Sequence, residues 1–79
     1  MRQYQLYGTS ACHLCELAEA LVVTALGQGL DCTVEDVDIS DSDDLVARYG
    51  ERIPVLRHPD GRELNWPFSA EEGERFLAA

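Results

Sequence analysis

Two cysteines, Cys12 and Cys15, stand between an apolar run that reads as a strand and a strongly helical pattern. That placement constrains the chain more than any other feature. A helix that starts there presents unpaired backbone N–H groups and the positive end of its dipole, and both favour an anion. A thiolate is such an anion, so the position predicts a lowered pKa and a reactive sulfur at Cys12. Cys15, one turn further in, is within reach for closing a disulfide. Spacing alone leaves zinc binding and redox chemistry level, and the strand–loop–helix context favours redox.

The rest of the chain supports that context. Gln3 to Tyr7 alternates and fits a strand, with Tyr4 and Leu6 on one face. Gly8, Thr9 and Ser10 break it, with Ser10 in position to cap the helix that follows. Leu14, Leu17, Ala18, Leu21, Val22, Ala25 and Leu26 repeat at helical spacing until Gly27 and Gly29 stop them. Asp31 to Ile39 reads as a second strand whose alternation slips after Val34, which predicts an end near Asp36. Asp41 to Asp44 has the residues of a helix start, Leu45, Val46 and Tyr49 give it an apolar face, and Gly50 ends it.

Ile53-Pro54-Val55-Leu56 opens a third strand. Pro59-Asp60-Gly61 makes a turn into a fourth at Arg62 to Leu64. Ser69 with Glu72 matches a capping box for a last helix carrying Phe76 and Leu77. The predicted order is β-α-β-α-β-β-α in one domain spanning residues 1–79. Strands joined through a helix are expected to run parallel, with the hairpin antiparallel at the other side. The fold class is therefore α/β, a four-stranded mixed sheet with helices on both faces.

Composition narrows the function. Fifteen acidic residues face six arginines and no lysine, a formal net charge of −9. Nucleic acid and anionic membranes both call for a basic patch, and none is visible in the sequence, so neither is an expected partner. Three cysteines cannot all pair within the chain, which argues against a disulfide-built secreted scaffold. The first residues read as a strand rather than a signal peptide, and no apolar run nears the roughly 20 residues of a membrane span. A reducing cytoplasm and a monomer are the expectation.

Tyr7, the Cys12-His13-Leu14-Cys15 stretch and Tyr49-Gly50-Glu51-Arg52-Ile53-Pro54-Val55 together resemble the glutaredoxins, the smallest form of the thioredoxin fold. The resemblance covers the whole chain in element order and these patches at residue level. It implies a thiol–disulfide oxidoreductase with Cys12 as nucleophile and Cys15 as resolving thiol. It also implies a cis proline at Pro54 beside the cysteines, with the Ile53 backbone pairing to a bound substrate. No tightly bound cofactor is implied. The implied partners are a disulfide-bearing protein or glutathione-type thiol, and a reductase of the glutathione or thioredoxin system. Three departures weigh against glutathione as co-substrate. Thr9 stands where the family often has lysine, Arg52 where it has threonine, and Asn65-Trp66-Pro67-Phe68 where it has a glycine pair. The aromatic loop resembles that of the glutaredoxin-like electron donors to ribonucleotide reductase.

Around the cysteines, His13 and Ser10 are candidate tuning residues. Tyr7, Arg52, Ile53, Pro54, Trp66 and Ser69 are candidate substrate contacts, with the helix start at Ser69 able to meet a carboxylate. Cys32 reads as a small buried hydrophobe, and His58 as a surface residue. No intrachain metal set is apparent. Two other readings stay open: a metal or iron–sulfur module assembled between subunits, and a binding domain that keeps the fold without redox activity.

Overall fold

The computed structural model describes residues 2–79. Seven elements and one short turn of 3-10 helix follow the expected order. They are β1 (Arg2–Gly8), α1 (His13–Leu26), β2 (Cys32–Asp38), the 3-10 turn (Ile39–Asp41), α2 (Asp43–Tyr49), β3 (Val55–Arg57), β4 (Glu63–Asn65) and α3 (Ala70–Ala78). The strands form one sheet in the order β2-β1-β3-β4. β1 and β2 are parallel in register from Arg2↔Cys32 to Gly8↔Asp38. β3 runs antiparallel to β1, and β4 antiparallel to β3. The parallel expectation thus holds across α1 and fails across α2, because β3 lands beside β1 rather than beside β2.

β2 runs to Asp38, two residues past the expected end. The strand keeps its period of two throughout. Cys32 and Val34 pack under α1, whereas Val37 packs on the opposite face beneath α2. The apparent slip is a change in which face is covered.

The sheet carries two cores. Tyr4, Leu6 and Leu56 meet Ala18, Val22 and Ala25 of α1 and Leu77 of α3 on one face. Tyr7 and Val55 meet Ile39 and Tyr49 on the other. The Tyr4 hydroxyl donates to the Phe76 carbonyl at 2.8 Å, with the Leu77 carbonyl at 3.1 Å, and so ties the end of α3 to β1. Each fully buried aliphatic side chain in such a core contributes about 1.5–3 kcal/mol. Cys32 is buried as expected, and burial pushes its thiol pKa up.

His58 is buried, contrary to the surface reading. Its Nδ1 lies 3.0 Å from both the Asp60 backbone nitrogen and Asp60 Oδ1, and its Nε2 lies 3.1 Å from the Ala79 carbonyl oxygen. Tyr4 and Phe76 meet the ring edge-on. The C-terminal end of the chain covers His58, with Ala79 lying 21 residues away in sequence, a contact that local pattern does not reveal. No helix among the described residues is long and apolar enough to cross a membrane.

Candidate active site

α1 begins at His13, and its N-cap is Cys12 rather than Ser10. Cys12 is extended, at φ −122° and ψ 106°, and its Sγ accepts the Cys15 backbone N–H at 3.1 Å. A cysteine sulfur thus fills the place usually taken by a serine, threonine or aspartate oxygen. Ser10 lies in the turn before it, too early to reach the first unpaired amides. Cys12 and Cys15 are joined as a disulfide with Cα atoms 5.2 Å apart. Cys12 is half-buried and Cys15 buried, so the outer sulfur is the one open to a partner.

The end of β1 holds Cys15 from beneath. A Cβ on Gly8 would lie 3.1 Å from the Cys15 Sγ and 3.2 Å from its Cβ, so glycine permits the close approach. Behind Cys15 is a cavity of about 220 Å³ lined by Gly8, Thr9, Ser10, Glu19, Asp36 and Asp38 among others. Hydrogen bonds from the Ser40 side chain and backbone, with a further one from Thr9, hold the Asp38 carboxyl below its ordinary range. Cys15 thus shares a cavity with three acidic residues, and the outer sulfur faces the helix start.

On the outer side lies a groove of about 400 Å³ lined by Leu14, Glu51, Arg52, Ile53, Asn65 and Trp66. It joins the dipeptide between the cysteines to the loop before β3. The Ile53–Pro54 peptide is cis, as the resemblance implied, and Trp66–Pro67 is a second cis bond that sequence reasoning missed. Leu14 and Leu17 are 46% and 42% exposed, although their spacing placed them on the buried face. The apolar stripe of α1 is wider than the sheet and α3 can cover, so its start stays open beside the disulfide. Trp66 meets Phe68 edge-on at 5.1 Å. Only Trp66 borders the groove, because Phe68 is buried in the main core.

The remaining candidates fall in different places. The Ile53 N–H, assigned by the resemblance to a substrate, donates to the Tyr49 carbonyl at 3.0 Å. Tyr7 is not placed at the cysteine loop. It is stacked on Tyr49 at 4.5 Å in the core beneath α2. His13 is exposed, with Glu16 Oε2 3.6 Å from its Nδ1. Ser69 caps α3 in a complete capping box, its Oγ accepting the Glu72 N–H and its own N–H donating to Glu72 Oε1. Those two donors are satisfied internally, and Glu71 and Glu72 make that helix start unwelcoming to a carboxylate. Among the described residues, no group of three or more His, Cys, Asp or Glu side chains is placed to hold a metal ion.

Arg52 is fixed at the far wall of the groove. Its Nη2 donates to Glu63 Oε1 at 2.9 Å and Asn65 Oδ1 at 3.1 Å. Glu63 Oε2 accepts the Tyr49 hydroxyl at 2.5 Å. The Tyr49 hydrogen bond, with Arg52 beside it, holds the Glu63 carboxyl below its ordinary range. A lowered folded-state value means stability that is present above the unfolded pKa of about 4.3 and lost as pH falls through the folded value. Glu63→Gln is therefore expected to cost about 1–2 kcal/mol at neutral pH, with the difference from wild type shrinking in acid. Urea unfolding of both proteins from neutral pH down to about pH 3 checks it.

A parallel pair extended by an antiparallel hairpin, with α1 and α3 on one face and α2 on the other, is the thioredoxin-like fold. A cysteine pair at the start of α1 and a cis proline before β3 place the chain among its small redox-type members. The sequence profile described as "Glutaredoxin-like domain (DUF836)" matches residues 3–78, and the chain belongs to that family. Solved structures agree. The X-ray structure of protein XcR50 from X. campestris is 43% identical, covers 94% of this chain and 93% of its own, and superposes with a TM-score of 0.76. The solution structure of XcR50 gives 39% identity, 98% and 92% coverage, and a TM-score of 0.78. Protein Ne2328 from Nitrosomonas europaea is 28% identical over 89% of this chain and 84% of its own, with a TM-score of 0.71. No protein of curated function matches the chain.

Proposed function

We propose that the protein is a dithiol–disulfide oxidoreductase that reduces disulfides of proteins or small molecules. The observation that carries the reading is the Cys12 sulfur acting as N-cap of α1, in hydrogen-bonding contact with the Cys15 amide. In the reduced protein that position stabilises a thiolate, through the backbone donor and the helix dipole. The carboxylates behind Cys15 disfavour a second negative charge there. The two sulfurs thus divide the work.

The Cys12 thiolate attacks one sulfur of the substrate disulfide. That bond breaks, the other substrate sulfur leaves as a thiolate and takes a proton, and a Cys12–substrate mixed disulfide forms. Cys15 loses its proton and attacks the Cys12 sulfur, forming the Cys12–Cys15 disulfide and releasing the second substrate thiol. Two electrons and two protons have passed to the substrate. A reductase system of the glutathione or thioredoxin type returns them.

The groove of Leu14, Ile53 and Trp66 suits an apolar peptide segment flanking a substrate cysteine. Thr9 in place of a lysine, the closed capping box at Ser69 and the committed Ile53 N–H all disfavour glutathione as the bound partner. Equilibration in buffers of known thiol–disulfide ratio tests the assignment, with Cys12 and Cys15 read out by mass. A single reversible two-electron transition within the span of known thiol oxidoreductases, roughly −120 to −270 mV, is expected. A pair that stays oxidised well below that span is structural and contradicts it.

A further inference from the structure

Three of the six arginines, Arg48, Arg52 and Arg57, line a single cavity of about 320 Å³. They come from α2, the loop after it and β3, so the fold gathers charges that are scattered along the sequence. The other three are engaged elsewhere. Arg2 reaches the carbonyls of Leu77 and Ala79, Arg62 pairs with Asp60, and Arg75 pairs with Glu71. Among the described residues, neither Arg48 nor Arg57 has a carboxylate within ion-pair distance.

The cavity is built rather than incidental. Tyr7 and Tyr49 stack at 4.5 Å with their planes 15° apart, forming a slab in the smaller core. Arg52 lies over the Tyr49 ring at 5.2 Å and is held by Glu63 and Asn65. Arg57 Nη1 donates to the Tyr7 hydroxyl at 3.4 Å. Gly61, at φ +98°, brings the hairpin turn past Arg57, where even a Cβ would stand 4.0 Å from Nη2. Glu63 is the single carboxylate in the lining, and the Tyr49 hydroxyl and Arg52 Nη2 already engage both its oxygens. Three guanidinium groups against one carboxylate leave two positive charges, in a chain of net charge −9.

We propose that this cavity binds a phosphate group, either free or as the monoester of a small molecule. A phosphate carries between one and two negative charges near neutral pH and offers several acceptor oxygens, which matches two spare guanidinium forks. A single carboxylate fills one fork and leaves the second charge unanswered. The site lies on the α2 face and shares Arg52 with the groove beside the disulfide, but the charge argument for it does not use the redox assignment.

Titration of the full chain with inorganic phosphate, followed by nitrogen-15 NMR at constant ionic strength, tests the proposal. Saturating shifts at the Arg48, Arg52 and Arg57 Nε–H groups and at the Gly61 amide are expected. The Arg48→Gln, Arg57→Gln double variant is expected to weaken the dissociation constant by about tenfold or more. Arg48→Gln alone, at an exposed position on α2, is expected to weaken it at least about threefold with the fold intact. A parallel titration with glycerol phosphate separates the sources: tighter binding than inorganic phosphate indicates a monoester, and equal binding a free anion. Shifts that stay linear, or that chloride reproduces at the same ionic strength, overturn the proposal, as does an Arg48→Gln protein that binds phosphate like wild type.

Discussion

Cys12→Ser is expected to lower the rate of disulfide reduction by at least about a thousandfold, because it removes the attacking sulfur and leaves no group of comparable nucleophilicity. A serine hydroxyl can still accept the Cys15 amide as an N-cap, so the fold should survive the exchange. Loss of activity without loss of stability is then the signature of a nucleophile. Cys15→Ser should behave differently. It retains the Cys12 thiolate and should accumulate a mixed disulfide with the substrate, since nothing resolves it. Stopped-flow thiol release from a model disulfide, with mass analysis of each variant, distinguishes the two. Equal rates for Cys12→Ser and wild type would favour a domain that keeps the fold as a binding platform.

The largest effect on stability is expected at Leu56. It lies at 0% exposure in β3, paired with Leu6 of β1 and Leu64 of β4, at the centre of the core beneath α1 and α3. Leu56→Ala removes three carbons from a site walled by sheet and helix, and such sites collapse only in part. A loss of about 3–4 kcal/mol is expected. A chain of this length has on the order of 4–12 kcal/mol in total, so the exchange removes from about a quarter to nearly all of it. Urea denaturation read by circular dichroism measures it. Val46→Ala provides the contrast, since Val46 is 45% exposed on α2 and its truncation should change stability by no more than about 0.5 kcal/mol.

Most of the element order is legible from local chemistry. Gly27 and Gly29 end α1, and the box of Ser69 and Glu72 starts α3, because capping is decided within a few residues. The two cysteines announce the site for the same reason: a strand, a short loop and a helix start are local patterns. What is not legible depends on distant partners. His58 looks exposed until the end of the chain folds over it. Tyr7 is adjacent in sequence to the cysteine loop, yet strand alternation turns it to the opposite face, against Tyr49. Leu14 and Leu17 have the right spacing for burial, and only the width of the covering layer decides that they remain open. The gathering of Arg48, Arg52 and Arg57 is equally invisible in a chain whose overall charge is strongly negative.

The direction of β3 illustrates the same divide. A helix between two strands predicts a parallel pair when the strands are neighbours. Here α2 connects the edge strand β2 to β3 on the far side of β1, and β3 enters antiparallel after the cis Ile53–Pro54 bond. That arrangement brings Ile53 into the groove with Leu14, beside the disulfide. A candidate substrate groove thus follows from a topological choice that hydrophobic periodicity does not encode.

The rate of alkylation of the reduced protein by iodoacetamide as a function of pH, resolved by cysteine, tests the central claim most directly. Cys32 is a built-in reference, since burial raises its pKa and slows its reaction. Cys12 should react first, with an apparent pKa clearly below the free-cysteine value of about 8.5. A Cys12 that titrates at or above that value, or that reacts no faster than Cys32, would contradict an activated sulfur at the start of α1.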